Sequence, residues 1–196
     1  MSTYLVAAGH DEARAMRLYI WNARLGEAFH VPIQAVEVAL RNSVNYALMA
    51  EFGAEWWRNK NYLFLIDHDR EADLNTVKRR IKNRKQHENV GQIVAGLSFG
   101  FWVGMLQARY NPALWSKQLK PAFPHLPEGR SRKSLATRAG EIAFLRNRIS
   151  HHEPLIKRSA IDDYKLVTEM LGWLCPHKLA WVKPHCRVPE LARLKP

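Results

Sequence analysis

The sequence predicts an all-α protein, and two observations support this fold class. Apolar residues recur at steps of three and four through most of the 196 residues, which places them on one face of successive helices. No stretch alternates apolar and polar residues clearly enough to indicate a β-strand, and no segment repeats. Hydrophobic residues make up 47% and charged residues 24% of the chain, a balance that favours a globular protein over a disordered one.

Three helices are predicted in the first half of the chain. The spacing of apolar residues predicts an amphipathic helix over residues 11–29. Pro32 is expected to begin a second helix, because a proline in the first turn loses no hydrogen bond there, and Gly53 is expected to end it. Residues 67–85 form the third predicted helix, which is acidic at its beginning and basic at its end.

An uncharged segment, residues 93–106, is expected to be a buried core helix that is too short to cross a membrane. Its three glycines follow each other at four-residue spacing, so on one helix they would share a face and admit a second helix closely. This contact is expected either within the chain or across a dimer. The three glycines are Gly96, Gly100 and Gly104.

The second half of the chain is expected to contain short and long helices joined by loops. The length of the whole chain fits a single domain, residues 1–196, with a core over about 9–174. The C-terminal tail carries four prolines and is expected to be an irregular wrapping segment with short turns of helix. Ser131 is expected to be the N-cap of the first long helix. The predicted elements are a short helix over 113–119, a loop over 121–129, helices over 131–149 and 161–174, and the tail over 175–196.

The chain is strongly basic, with a formal net charge of +12 and a sequence pI of about 10.0. Such a surplus favours a polyanionic partner, nucleic acid first and an anionic membrane surface less often, although it also serves solubility in general. Six basic residues end the third predicted helix, where they either complement the helix dipole or contact phosphates. These residues are Lys78, Arg79, Arg80, Lys82, Arg84 and Lys85.

Cysteine usage and the N-terminal sequence favour a cytoplasmic protein. Cys175 and Cys186 are too few for a disulfide framework, and the first residues lack the features of a signal peptide. His177 and His185 lie beside these cysteines, but the spacing of the two pairs is not that of a zinc site. We therefore expect no metal and no cofactor, and no association with a membrane.

Residues 145–154 hold the chemical groups needed to cut a phosphodiester without a metal. The imidazole of His151 can transfer protons near neutral pH, and the guanidinium of Arg146 can stabilise charge on a phosphate. Asn147 can orient either partner. In RNA the ribose 2′-OH is a built-in nucleophile, so these groups suit RNA cleavage. The alternative is that the basic residues only satisfy the last carbonyls of a helix.

Whether Arg146 and His151 can meet depends on where their helix ends. Five positions separate them, which is about 140° around an ideal helix axis, so within a continuous helix they would not share a face. Pro154 disfavours helical backbone at Glu153, and the helix is therefore expected to end close to His151. The sequence permits the two side chains to converge there.

Residues 146–151 resemble the Arg-polar-x3-His signature of the HEPN superfamily of small all-α proteins. The wider sequence resembles the Abi-like (abortive infection) branch of that superfamily, and the resemblance extends roughly from residue 9 to residue 189. It is carried by four separate blocks in the same order. These blocks are residues 18–25, 36–42, 97–102 and 146–154.

The resemblance implies a helical bundle of HEPN type and a metal-independent endoribonuclease, a homodimer with a composite site, that acts in phage defence or as a toxin with an antitoxin. Arg146 and His151 match the catalytic pair of the family, and Asn147 matches its polar neighbour. HEPN toxins regulated by a partner nucleotidyltransferase usually carry a tyrosine where this chain has Glu153, which puts that mode of regulation in doubt. Supporting roles are assigned to His152, Arg148, Glu153, Glu37, Arg41 and Asn42. The alternative for Glu37 and Arg41, which are four positions apart, is a simple ion pair on the helix surface.

Two other functions stay open. A HEPN fold can bind RNA or a nucleotide without cutting it, which would make the chain a non-catalytic binding module. Alternatively, the glycine row in residues 93–106 builds an assembly, and the chain is a structural interaction protein.

Overall fold

A computed structural model describes residues 2–196, which form helices and no β-strand, so the predicted all-α class is confirmed. A 3₁₀ turn precedes α3, a π-helix spans Asn111–Leu119, and helices α8 to α10 follow each other closely. The helices are α1 (Ser2–Ala7), α2 (Glu12–Phe52), α3 (Lys60–Leu65), α4 (His68–Asn83), α5 (Val90–Gly96), α6 (Phe99–Gly104), α7 (Arg132–Ser150), α8 (Ala160–Leu174), α9 (Pro176–Val182) and α10 (Val188–Arg193).

The chain divides into two compact units. The first unit consists of Met1–Val36, of which residues 2–36 are described, together with Glu141–Pro196, and the second unit is Glu37–Gly140. Helices α2 and α7 each contribute residues to both units. The expectation of a single domain over residues 1–196 stays a prediction.

The first unit is built around the N-terminal half of α2. Leu18, Leu25 and Phe29 recur on one face of this helix and are almost fully buried. The indole of Trp21 lies on the same side, where its Nε1 donates a hydrogen bond of 2.7 Å to the carbonyl of Leu191 in α10. Burial of this apolar face, rather than helix propensity, therefore stabilises the N-terminal half of α2.

The predicted helix boundary at Pro32 is wrong, because α2 continues through this residue. Apolar residues on both sides of the proline, Phe29 and Ile33, are buried, so tertiary packing outweighs the loss of one backbone hydrogen bond. Pro32 has no N–H to donate to the carbonyl of Ala28. The thiol of Cys186 lies 3.9 Å from that oxygen and donates to it instead.

The second unit has an aromatic core. Trp56, Tyr62, Phe101 and Trp102 are fully buried, and the rings of Trp56 and Tyr62 meet edge to face with their centroids 5.0 Å apart. The indole Nε1 of Trp56 donates a 3.0 Å hydrogen bond to the side chain of Asn45. This polar contact fixes the orientation of the central ring within an otherwise apolar cluster.

The single core helix predicted over residues 93–106 is also wrong, because the segment forms two helices, α5 and α6. Ser98 separates them: its side chain accepts a 3.2 Å hydrogen bond from the backbone N–H of Phe101 and caps α6. A capping serine competes with helix continuation, which apolar content alone does not reveal. The three glycines therefore do not share one helix face.

Two of these glycines nevertheless admit a close helix contact within the chain. A Cβ atom on Gly96 would lie 2.6 Å from Cγ1 of Val77, and one on Gly104 would overlap the guanidinium of Arg70. Val77 and Arg70 both belong to α4. The expected tight contact is thus confirmed, with α4 as the partner of both α5 and α6.

The C-terminal tail is more regular than predicted. Most of residues 175–196 belong to α9, a 3₁₀ turn and α10. Three of the four prolines lie in the first turns of these elements, where they lose no hydrogen bond, and Val188 and Leu191 of α10 are buried. No helix formed by residues 2–196 is long and apolar enough to cross a membrane.

We predict that Gly96→Ala lowers the free energy of unfolding by about 1–3 kcal/mol, because the added methyl group would push into Val77. Urea denaturation followed by circular dichroism measures this change. Gly140→Ala is the matched control, because a Cβ there meets nothing within 4 Å and the residue lies inside α7. In this variant the free energy of unfolding should rise by about 1 kcal/mol. Equal changes in both variants would contradict a close contact at Gly96.

Candidate active site

Helix α7 is capped at both ends, which determines where the predicted catalytic residues lie. At its beginning, the N–H of Ser134 donates to the hydroxyl of Ser131 at 3.4 Å, as expected of the predicted N-cap. At its end, the N–H of Glu153 donates to the carbonyl of Arg148 at 2.8 Å. The N–H of His152 donates to the carbonyl of Ile149 at 3.1 Å, and these two bonds together form a Schellman motif.

His152 occupies the position of this motif that usually holds glycine. Its φ angle is +55°, in the left-handed region that L-residues adopt at a cost. The helix itself ends at Ser150, so the prediction that it ends close to His151 is confirmed. Pro154 follows two residues after His152 and disfavours helical backbone at Glu153, as the sequence indicated.

Arg146, Asn147 and His151 lie together on the last turn of α7 and the turn that follows it. The backbone N–H of His151 donates to the carbonyl of Asn147 at 2.9 Å, so these two residues are one helical turn apart on neighbouring faces. Nη1 of Arg146 lies 3.4 Å from Oδ1 of Asn147. The side chains of Asn147 and His151 are exposed and that of Arg146 is half-buried. Asn147 thus links the guanidinium to the turn that carries the imidazole.

Two of the predicted supporting residues hold the chain after α7 in place. Nη2 of Arg148 donates a 2.7 Å hydrogen bond to the carbonyl of Pro154, and its Nη1 lies 3.0 Å from a carboxylate oxygen of Glu153. The guanidinium also lies over the ring of Phe144, at 5.7 Å from the centroid. Arg148 and Glu153 therefore position the turn, and neither is offered to a ligand in this arrangement.

The segment after Pro154 is anchored by residues to which the sequence gave no role. Oδ1 of Asn22 in α2 accepts a 2.6 Å hydrogen bond from the backbone N–H of Leu155. Arg158 pairs through two nitrogens with Asp163, whose side chain is buried, and this hydrogen bonding raises the pKa of Arg158. Asn22 lies inside the sequence block 18–25, but nothing in the local sequence indicates that Arg158 and Asp163 form a pair.

The remaining supporting residues, Glu37, Arg41 and Asn42, lie on α2 in the second unit. Glu37 and Arg41 are half-buried and Asn42 is exposed. Nε of Arg41 is buried and has no hydrogen-bond partner among residues 2–196, which is uncommon for a guanidinium nitrogen. Their proposed support of the catalytic side chains stays a prediction.

The basic cluster of the sequence lies at the end of α4 in the second unit. Nζ of Lys78 donates a 2.9 Å hydrogen bond to the carbonyl of Trp57, and burial lowers the pKa of this lysine. The five other side chains are exposed. These are Arg79, Arg80, Lys82, Arg84 and Lys85.

Both cysteines carry free thiols and are half-buried. Burial raises the pKa of Cys186, which lies near the carbonyl of Ala28. Among residues 2–196, no three His, Cys, Asp or Glu side chains are grouped so that they could hold a metal ion.

We predict that His152→Gly raises the free energy of unfolding by about 1 kcal/mol, because glycine adopts a positive φ without the steric cost that histidine meets. His151→Gly is the matched control, since φ is not positive at that position and glycine there should destabilise the protein. Thermal unfolding of both variants measures the difference. A lower melting temperature for His152→Gly would argue against the Schellman motif at this helix end.

Residues 2–157 match the model of a protein family described as Abi-like protein. The match covers well over half of the chain, so the chain belongs to the Abi-like family. Membership points to a role in abortive infection, which is a form of defence. Comparison with curated proteins and with solved structures found no match.

Proposed function

We propose that this Abi-like protein is a metal-independent endoribonuclease of the HEPN superfamily. One observation carries the proposal: α7 ends so that the exposed imidazole of His151 stands one turn after Asn147, whose side chain contacts the guanidinium of Arg146. A proton-transfer group, an amide and a cation at one exposed helix end are groups that can promote cleavage of an RNA phosphodiester by its own 2′-OH.

The proposed reaction begins with the ribose 2′-OH of the substrate. The 2′ oxygen attacks the neighbouring phosphorus as its proton passes to an imidazole, and the bond to the 5′ oxygen of the next nucleotide breaks. That oxygen takes up a proton from an acid, which leaves a 2′,3′-cyclic phosphate and a 5′-hydroxyl. The guanidinium of Arg146 stabilises the charge on the pentacoordinate phosphorus, and Asn147 orients Arg146.

A base and an acid are both needed, and we propose that two copies of the segment supply them. In each copy we assign this task to the exposed imidazole of His151, which follows Asn147 by one turn, whereas the backbone of neighbouring His152 is part of the Schellman motif. A two-fold homodimer would bring two His151 and two Arg146 side chains into one cleft. Phe144 supports this, because its ring is 55% exposed only two residues before Arg146, and a second copy would cover it.

In this proposal Arg148 and Glu153 are positioning residues. They hold the backbone of Pro154, and so fix the turn on which His151 stands. A ribonuclease that cuts cellular RNA must also be restrained until infection, so we propose that a neutralising partner or antitoxin accompanies the protein.

The first test measures cleavage of a labelled RNA by purified protein in excess EDTA. We predict that His151→Ala and Arg146→Ala each slow cleavage by about 100-fold or more, because each removes a group that acts in the transition state. His177→Ala is the matched control, since it removes an exposed histidine from α9. The 5′ fragment is expected to end in a cyclic phosphate.

Three results would contradict the mechanism. Loss of cleavage in EDTA would show that a metal is needed, and equal rates in all variants would remove the roles of His151 and Arg146. RNA that is bound but left intact by the unmodified protein would favour the alternative, a non-catalytic HEPN module that binds RNA or a nucleotide.

The second test concerns the dimer. We predict that the protein sediments as a dimer at micromolar concentration, and that Phe144→Ser shifts it towards the monomer with a matching loss of cleavage. Phe64→Ser is the control, because Phe64 lies in the second unit and is 93% exposed. An unmodified protein that cuts RNA as a strict monomer would rule out a composite site.

A further inference from the structure

We propose that the end of α4 is a separate docking surface for the sugar-phosphate backbone of RNA. The surface, called the α4 basic surface, consists of Arg79, Arg80, Lys82, Arg84 and Lys85. It rests on the proposed function in one respect only, namely that RNA is the polyanion this protein meets. This surface lies in the second unit and consists of cations alone, whereas the proposed cleavage site lies in the first unit and includes an imidazole.

The five cations of this surface are not neutralised by the protein. Among residues 2–196, none of their side chains forms a hydrogen bond or an ion pair, and all five are exposed. Two other cations of the second unit are paired by contrast: Arg58 contacts Glu55 and Glu88, and Lys117 contacts Glu51. Five unpaired positive charges within seven residues repel one another, which favours an anionic ligand over bare solvent.

Helix capping does not account for the cluster. The last carbonyls of α4 already accept backbone hydrogen bonds: the N–H of Arg84 donates to Arg80 at 3.2 Å, that of Lys85 to Lys82 at 2.9 Å, and that of Gln86 to Ile81 at 3.2 Å. The last two of these bonds form a Schellman motif, with Lys85 at a φ of +55°. The basic side chains are therefore not needed to satisfy the helix end and remain available to a partner.

The surface fits phosphate groups better than a lipid bilayer. A helix that lies in a membrane interface presents an exposed apolar face, but Leu74, Val77 and Ile81 of α4 are all buried in the protein. Each of the exposed residues from 79 to 87 is polar or charged. With no apolar residue to insert, the surface is suited to a charged backbone in water.

The same composition predicts how RNA is held. Proteins that read single-stranded bases stack them on aromatic side chains, and residues 79–89 contain no Phe, Tyr or Trp. We therefore expect the contacts to be mainly with phosphates, which carry no sequence information. Binding at the α4 basic surface should depend strongly on salt and little on base sequence.

The test measures binding of a labelled 20-nucleotide RNA by fluorescence anisotropy, with the His151→Ala protein so that the RNA stays intact. The variant Arg80→Gln/Lys82→Gln/Arg84→Gln removes three charges from the surface. Its control, Lys60→Gln/Lys133→Gln/Lys183→Gln, removes three exposed and unpaired charges elsewhere. We expect the surface variant to bind about 10- to 100-fold more weakly at 0.1 M salt, and its log–log salt slope to fall by about 2. The control should change far less.

Equal weakening by both triple variants would overturn the proposal, since binding would then follow net charge alone. Unchanged affinity of the surface variant would overturn it as well, and so would a strong preference among RNA sequences that the variant abolishes. Binding to phosphatidylserine vesicles but not to RNA would identify a membrane surface instead. Cleavage by the unmodified protein decides the proposed function separately, because the His151→Ala binding assay does not depend on catalysis.

Discussion

Arg148 joins the last turn of α7 to the chain that leaves it, through the carbonyl of Pro154 and the carboxylate of Glu153. The backbone bond from Glu153 to the Arg148 carbonyl closes the same loop at 2.8 Å. One residue thus holds the turn by its main chain and by its side chain. The position of His151, which stands within this loop, follows from that double hold, and so does the proposed chemistry.

The two arginines at the end of α7 point in different directions. Arg146 and Arg148 are two positions apart, so their side chains leave the helix on nearly opposite faces. Arg148 points towards the turn and Phe144, while Arg146 contacts Asn147. Of the two arginines, Arg148 therefore holds the turn, and Arg146 is the one that we propose contacts the phosphate.

Sequence reasoning succeeded where the controlling interaction is local. Ser131 as an N-cap and Pro154 as a stop place both ends of α7, because each acts on residues three or four positions away. It was wrong at Pro32, where burial of Phe29 and Ile33 by distant residues maintains the helix. A supporting role was predicted for Arg148, but its contact with the carbonyl of Pro154 was not, since that contact depends on the path of the chain after the helix.

In these proposals the α4 basic surface binds RNA and the site on α7 cleaves it. Contacts to phosphates supply affinity but do not distinguish RNA from DNA, because both carry the same charged backbone. The reaction makes that distinction, since its nucleophile is the 2′-OH that DNA lacks. DNA would therefore occupy the basic surface without being cut and compete with RNA there. Selectivity in this protein would then reside in the attacking group of the substrate, and the protein itself need only provide charge and proton transfer.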